Sequence, residues 1–158
     1  MRRRPENRGF TLLELAIVAA LIGVLALVVF PRFTGLISSR KAVGFTRRLA
    51  GTLDYARARA VLEGRIYLVY LDRNDKTFRL GRLGADGSQE TVPGRLGAPQ
   101  AIPEGLRLSG TVSSPIYFYP GGNSDGAEIV LRSADDFGRR YIINLKPYVG
   151  RSEVEIKG

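Results

Sequence analysis

The chain has 158 residues, a formal net charge of +9, and neither cysteine nor histidine. Without cysteine there is no disulfide framework or thiolate metal site, and without histidine the usual general base and the commonest metal ligand are missing. Serine–histidine–aspartate and cysteine–histidine catalysis are therefore excluded within this chain, and we expect no enzyme, no cofactor and no metal site.

The N-terminal segment is a short basic leader followed by an apolar run. Residues 1–9 hold four arginines and one glutamate, and the run from Phe10 to Phe30 is interrupted by a single charge. Its 21 residues match the roughly 20 that a helix needs to cross a bilayer. Because basic flanks stay cytoplasmic, we predict a membrane helix at 10–31 with a cytoplasmic N-terminus. Pro31 either kinks or locally melts the helix there, or merely marks the membrane boundary.

Glu14 is the one charged residue in that apolar run. An unpaired charge at membrane depth costs roughly 3 kcal/mol or more, so the carboxylate needs a partner. If the chain is cut between Gly9 and Phe10, the new α-amino group of Phe10 lies one helical turn from Glu14. The carboxylate then has a cation close by, in its own chain or in a neighbouring chain.

The segment Gly9-Phe10-Thr11-Leu12-Leu13-Glu14, with its basic leader and apolar helix, resembles the prepilin signal of type IV pilins and type II secretion pseudopilins. The resemblance implies a prepilin peptidase that cuts after Gly9, removes residues 1–9 and methylates the Phe10 amine. It also implies a filament in which Glu14 meets the Phe10 amine of an adjacent subunit. An ordinary secretory signal is disfavoured, because no small-residue cleavage site closely follows the apolar core.

After Pro31 the helical pattern continues, now with a single apolar face. That face predicts an amphipathic helix over residues 32–63 that packs on a sheet, and Gly64 predicts its end. We interpret the opposite, arginine-rich face as solvated rather than as a surface that binds nucleic acid. The residues of the apolar face are Ala42, Phe45, Leu49, Leu53, Ala56 and Ala60.

From Arg65 the pattern changes to a period of two, which predicts a β-sheet over residues 65–158. The first two strands are expected to form a hairpin, and residues 72–76 are expected to be its turn rather than a calcium loop. The strand 127–132 is expected to return along the strand 116–119. Segment 84–105 is predicted to be mostly loop, where a partner contact commonly lies. The predicted strands are 66–71, 77–83, 90–92, 106–108, 116–119, 127–132, 139–145 and 152–156.

The C-terminal third carries a second resemblance. Phe118-Tyr119-Pro120, the loop Gly121–Gly126, the strand Ile129-Val130-Leu131 and the closing Gly150-Arg151 are similar to the GspH/FimT family, the H-type minor pseudopilin and its pilus relative. The resemblance implies an α+β, pilin-like fold: a long N-terminal helix, half membrane and half amphipathic, packed on an antiparallel β-sheet head. Residues 32–158 would be the exported globular domain, periplasmic or extracellular in the filament.

Charge and motif leave three hypotheses. The first is a minor pseudopilin of a type II secretion filament, anchored in the inner membrane, whose head contacts other subunits or secreted cargo. The second is a minor pilin of a type IV pilus or DNA-uptake machine. The part after Phe30 carries +7 (20 basic less 13 acidic residues), and Arg139, Arg140 and Arg151 would contact DNA if their strands are adjacent. The third, a membrane-tethered receptor or enzyme, is disfavoured by the missing histidine and cysteine.

DNA-binding relatives are thought to use a closing Gly-Arg-x-Arg segment. Here Glu153 replaces the second arginine, which weakens the DNA interpretation because a phosphate contact becomes a repulsion.

Overall fold

A computed structural model describes residues 11–110, 114–133 and 139–157, and within helix α1 it leaves the side chains of residues 27–39 undescribed. The predicted leader, residues 1–9, and Phe10 lie outside the described residues. The chain divides into two units, Met1–Leu36 and Ile37–Gly158.

The single long helix, α1, runs from Leu12 to Glu63 and continues through Pro31 without interruption. Thr11 caps its start, since the backbone N–H of Glu14 donates to Thr11 Oγ1 at 3.2 Å. The helix ends where the sequence predicts. Gly64 adopts the left-handed conformation at φ +62°, and the N–H of Arg65 donates to the carbonyl of Ala60.

The predicted apolar face of the second half of α1 is confirmed. All six of its residues are buried, the most exposed being Phe45 at 2 %. Phe45 meets the ring of Phe78 edge-on, with centroids 5.6 Å apart, which is a favourable aromatic geometry. This face of the helix therefore packs on the strands, as its period of three and four residues predicts.

The strands form two antiparallel sheets. The strands are β1 (Tyr67–Asp72), β2 (Thr77–Leu83), β3 (Gln89–Thr91), β4 (Gln100–Ala101), β5 (Leu106–Ser109), β6 (Ile116–Phe118), β7 (Ala127–Ser133), β8 (Arg140–Leu145) and β9 (Ser152–Lys157). The five-stranded sheet has the order β3-β2-β1-β6, with β4 also paired to β2, and the four-stranded sheet has the order β5-β7-β8-β9.

The predicted α+β fold and the hairpin of β1 and β2 are confirmed, but the predicted return of 127–132 along 116–119 is wrong. β6 pairs with β1, placing Phe118 opposite Tyr67, whereas β7 pairs with β5 and β8. A period of two fixes which side chains point inward, but it does not choose the partner strand. The loop after β6 turns back along it as far as a bridge between Phe118 and Ser124, and the Ser124 N–H also donates to the Pro147 carbonyl at 2.8 Å.

The core lies between the apolar face of α1 and the inner faces of both sheets. Strands β1, β2 and β5 to β8 contribute alternate residues, as expected for sheets with one covered face, whereas β3, β4 and β9 contribute none. The largest fully buried side chains are Tyr67, Tyr141, Phe78, Phe118, Leu49, Leu53, Leu68, Leu80, Ile116, Ile129, Leu131 and Ile143.

A polar cluster closes the C-terminal end of α1. A carboxylate at this end opposes the helix dipole, but Glu63 is compensated by a salt bridge to Arg59 and by the Tyr67 hydroxyl, which donates to Glu63 Oε2 at 2.6 Å. This hydrogen bond and the nearby Arg59 lower the pKa of Glu63. Burial and the same hydrogen bond raise the pKa of Tyr67.

The lowered pKa of Glu63 predicts acid sensitivity. A carboxyl group whose pKa is lower in the folded state stabilises above its ordinary pKa, and that stability is lost as the pH falls through the lowered value. Glu63→Gln should therefore flatten the fall in unfolding free energy on the acid side, as measured by urea denaturation at a series of pH values. The matched control, Glu104→Gln on an exposed loop, should unfold as wild type. An unchanged acid limb in Glu63→Gln would contradict the assignment.

Candidate functional site

The N-terminal part of α1 presents an apolar surface. Leu12 is 88 % exposed, and leucine, isoleucine and valine side chains are exposed on every side of the helix as far as Leu25. A helix on the surface of a soluble protein has apolar side chains on one face only. A segment that is apolar on every side therefore requires an apolar environment. Among the described residues, no helical stretch combines the length and apolar character needed to cross a membrane. The predicted span, 10–31, begins outside those residues.

Glu14 lies in the first turn of this apolar helix and is exposed. Thr11 and Glu14 have the Thr-x-x-Glu spacing of a capping box, and the Glu14 N–H donates to the Thr11 hydroxyl. A carboxylate in the first turn is also favoured by the helix dipole. The structure thus gives Glu14 a place next to the N-terminus of the helix, while Gly9 and Phe10 lie outside the described residues.

A second site joins two loops of the head to the C-terminal part of α1. Arg57 Nε donates to the Gly122 carbonyl at 3.0 Å, and Asp54 Oδ1 accepts the Ser152 N–H at 3.1 Å. We name these residues, with Gly150, the helix–loop cluster. It fixes the loop after β6 and the turn before β9 against one side of the helix.

Gly150 brings the two loops of the helix–loop cluster into direct contact. Its φ is +60°, and a Cβ built there would lie 2.5 Å from the Gly122 carbonyl oxygen and 3.1 Å from Arg57 Cδ. No other residue fits both this backbone conformation and this close approach. The glycines of the C-terminal motif therefore have a packing reason, which is to let two loops meet over the arginine.

Sequence reasoning missed the helix side of this cluster. Asp54 and Arg57 lie on the polar face of α1, which the sequence predicts to be solvated, because the helical period separates apolar from polar residues but does not show which polar residues meet a loop. The signal that the sequence does offer is the pair of motif glycines, Gly122 and Gly150, because glycine allows backbone conformations and close contacts that other residues do not.

The structure does not bring the three predicted DNA contacts together. β8 and β9 are adjacent, but they run antiparallel, so Arg140 lies opposite Lys157 while Leu145 lies opposite Ser152. Arg151, just before Ser152, is therefore at the other end of β8 from Arg139 and Arg140, about 20 Å away along the strand. Arg139 and Arg140 line a shallow depression with Arg132 and Ser133.

The comparison with known families yields two matches. Residues 4–30 match the prokaryotic N-terminal methylation motif, and residues 46–146 match the family described as type II transport protein GspH. In addition, 32 residues are 59 % identical to the type IV major pilin protein PilA of Myxococcus xanthus (strain DK1622). That stretch covers 20 % of this chain and only 14 % of the pilin.

Two solved structures share the fold. The minor pseudopilin EpsH from the type 2 secretion system of Vibrio cholerae has a TM-score of 0.62 at 13 % identity, covering 75 % of this chain and 97 % of that one. The type IV minor pilin FimU of Pseudomonas aeruginosa (strain PAO1) has a TM-score of 0.55 at 16 % identity, covering 75 % and 92 %. At these identities the likeness concerns the fold alone.

The GspH match spans well over half of the chain, and the methylation motif precedes it. Together they indicate a pilin-like filament subunit anchored in the inner membrane. Pilins and pseudopilins are structural subunits rather than enzymes. The chain belongs to the type II transport protein GspH family.

Proposed function

We propose that this chain is a minor pseudopilin of a type II protein secretion filament. The observation that carries the proposal is the combination, in one chain, of a methylation motif at residues 4–30 and a GspH region at residues 46–146. The pilin-like fold of the head is consistent with it.

In this proposal the N-terminus is processed before assembly. The prepilin peptidase cuts between Gly9 and Phe10 and methylates the Phe10 amine. Residues 10–31 then sit in the inner membrane, with the N-terminus cytoplasmic and residues 32–158 in the periplasm. The exposed apolar side chains around the first turns of α1 give such a helix a surface for lipid and for neighbouring helices.

Glu14 makes the assembly contact in this proposal. Its position in the first helical turn keeps the carboxylate close to the level of the N-terminus, where the Phe10 amine of an adjacent subunit would lie. Pairing removes the cost of an isolated charge in the apolar layer for both groups. The contact is thus favourable only between subunits that have lost their leader, because an uncut chain has no amine at Phe10.

The head supplies contacts outside the membrane. In a minor subunit these would be made to other pilin-like subunits or to secreted cargo, and the helix–loop cluster keeps the loop after β6 and the turn before β9 in one arrangement. We propose no catalytic role for the head.

Two measurements test the proposal. Mass spectrometry of protein from the host should find a mature N-terminal peptide that begins with N-methylated Phe10. Deletion of the gene should leave secreted proteins in the periplasm, and expression of the full chain should restore their release. Retention of residues 1–9 in the assembled protein would contradict the processing step, whereas normal secretion in the deletion strain would contradict the secretion role alone.

A second candidate is a minor pilin of a type IV pilus or DNA-uptake machine. The charge of +7 after Phe30 and the exposed pair Arg139 and Arg140 favour it. If it holds, the deletion strain loses pili or DNA uptake while secretion continues. The full chain in nonionic detergent would also shift duplex DNA, and Arg139→Gln with Arg140→Gln would weaken that binding more than Arg151→Gln, which lies at the other end of β8.

A further inference from the structure

Strand register aligns four cations across the four-stranded sheet. Arg107 of β5 lies opposite Arg132 of β7, Arg132 lies opposite Arg140 of β8, and Arg140 lies opposite Lys157 of β9. Residues directly opposite in antiparallel strands project from the same face. These four residues, the cationic row, therefore run straight across the sheet, at right angles to its strands.

The cationic row lies on the outer face of the sheet. The neighbours of Arg132 and Arg140 along their strands, Leu131 and Tyr141, are buried in the core, so the arginines point the other way. All four cations are exposed. Strands are spaced about 4.8 Å apart, which makes the cationic row about 14 Å long.

Folding alone does not explain this arrangement. Like charges placed directly opposite each other on neighbouring strands destabilise a sheet. Lys157 is relieved by Glu155, whose Oε2 is 3.2 Å from its Nζ, but within the described ranges no carboxylate forms a salt bridge with Arg107, Arg132 or Arg140. Asp135 and Asp136, in the connection 134–138, lie outside those ranges, and the experiment below includes them.

The rest of the outer face indicates what kind of partner would fit. Two residues further along the strands, about 7 Å from the cationic row, Val130 and Ile142 are only 7 % and 8 % exposed, and the carboxylate Glu155 lies beside Ile142. About 13 Å from the row lie two more carboxylates, Glu128 and Glu153, of which Glu153 forms a salt bridge with Lys146. The face therefore changes from cationic to acidic along the strand direction, with little exposed apolar surface between the two.

A partner must match these stripes. A nucleic-acid backbone is uniformly negative, so it would gain at the cationic row but would be repelled by the carboxylates Glu128, Glu153 and Glu155 on the same face. A second copy turned end for end would place only Glu128 and Glu153 opposite four cations. A protein that carries an acidic stripe, with no acidic group opposite those carboxylates, satisfies the face, because the charges are then complementary along its whole length.

We propose that the outer face of the four-stranded sheet docks a protein partner whose acidic stripe lies against the cationic row. In a filament, another pilin-like subunit is the class of protein that meets this face, so the identity of the partner rests on the proposed function. The site itself does not, since the striped face would select an acidic protein in any assembly.

The test compares two variants with the same loss of charge. The row variant carries Arg107→Gln, Arg132→Gln, Arg140→Gln and Lys157→Gln. The control carries Arg48→Gln, Arg65→Gln, Lys76→Gln and Arg95→Gln, which are exposed positions elsewhere. Each full chain in nonionic detergent is titrated with the purified pilin-like subunits of the same host, with duplex DNA and with itself, at about 50 and 200 mM salt.

We expect one subunit to bind wild type and control alike, and to bind the row variant at least tenfold more weakly. The affinity for wild type should fall with salt, and that fall should be smaller for the row variant. Thermal unfolding should show the row variant to be no less stable than wild type, which separates lost docking from lost folding. Charge reversal with Arg132→Glu and Arg140→Glu should abolish binding, and lysines in the partner's acidic stripe should restore it.

Four outcomes would overturn the proposal. Row-dependent binding of DNA, with no subunit bound, would make the face a nucleic-acid site. Row-dependent self-association would make the partner a second copy. Equal loss of binding in the row and control variants would show that binding depends on the net charge of the chain and not on the cationic row. Binding that appears only in Asp135→Asn with Asp136→Asn would show that the chain neutralises the cationic row itself.

Discussion

Replacing Glu14 with leucine is expected to stop the chain from entering filaments while membrane insertion and removal of residues 1–9 continue. The substitution makes the helix more apolar, so insertion is not impaired, but it leaves the Phe10 amine of the neighbouring subunit unpaired. An unpaired charge at this depth costs roughly 3 kcal/mol, which corresponds to an association on the order of 100-fold weaker. The measurement is the fraction of mature protein recovered in sheared filaments.

Two control variants separate charge from helix capping. Glu14→Gln can still accept a hydrogen bond in the capping box with Thr11 but carries no charge, so it should be as defective as the leucine variant. Thr11→Ala removes the cap at a cost of about 1 kcal/mol and keeps the charge, so it should assemble nearly as well as wild type. Normal assembly of Glu14→Leu, or failure of Thr11→Ala alone, would refute the pairing.

Gly150→Ala is expected to destabilise the head by roughly 3 kcal/mol. A part of this, about 1 kcal/mol, comes from the left-handed backbone at φ +60°, which a side chain disfavours. The larger part comes from the Cβ, which would lie 2.5 Å from the Gly122 carbonyl oxygen and must force the two loops of the helix–loop cluster apart. The hydrogen bond from Arg57 to that same carbonyl would be strained with it.

Gly64→Ala is the matched control, because Gly64 has φ +62° and nothing lies within 4 Å of its built Cβ. It should lose only the backbone part, about 1 kcal/mol. Urea unfolding of the full chain in nonionic detergent gives both free energies. If the two variants lose equal stability, the close approach of the loops contributes nothing, and the assigned role of the helix–loop cluster is wrong.

Local periodicity was sufficient to predict the helix and most strands. The spacing of Phe45, Leu49 and Leu53 defines a single buried face, and the turn residues after Asp72 define the β1–β2 hairpin. Both features depend on residues close together in the sequence. Strand β4, with only two residues, is too short to show a period and was missed.

Features that depend on distant residues could not be predicted. The choice of β1 as the partner of β6 is made by pairing across about fifty residues, and no local pattern distinguishes it from a return by β7. The cationic row has the same origin, since Arg107, Arg132 and Lys157 become neighbours only when the register of three strand pairs is known. Arg139, Arg140 and Arg151 do not form one patch, because β8 and β9 run antiparallel and Arg151 lies at the other end of β8.

The hydrogen bond between Asp54 and Ser152 joins residues 98 positions apart. A chain that emerges from a ribosome or a translocation channel N-terminus first displays its helix long before Ser152 arrives, so this bond must be among the last to form. Until then the turn before β9 has no attachment to the helix, and the sheet ends at β8. The head would therefore complete its closure over the helix only after Ser152 has emerged.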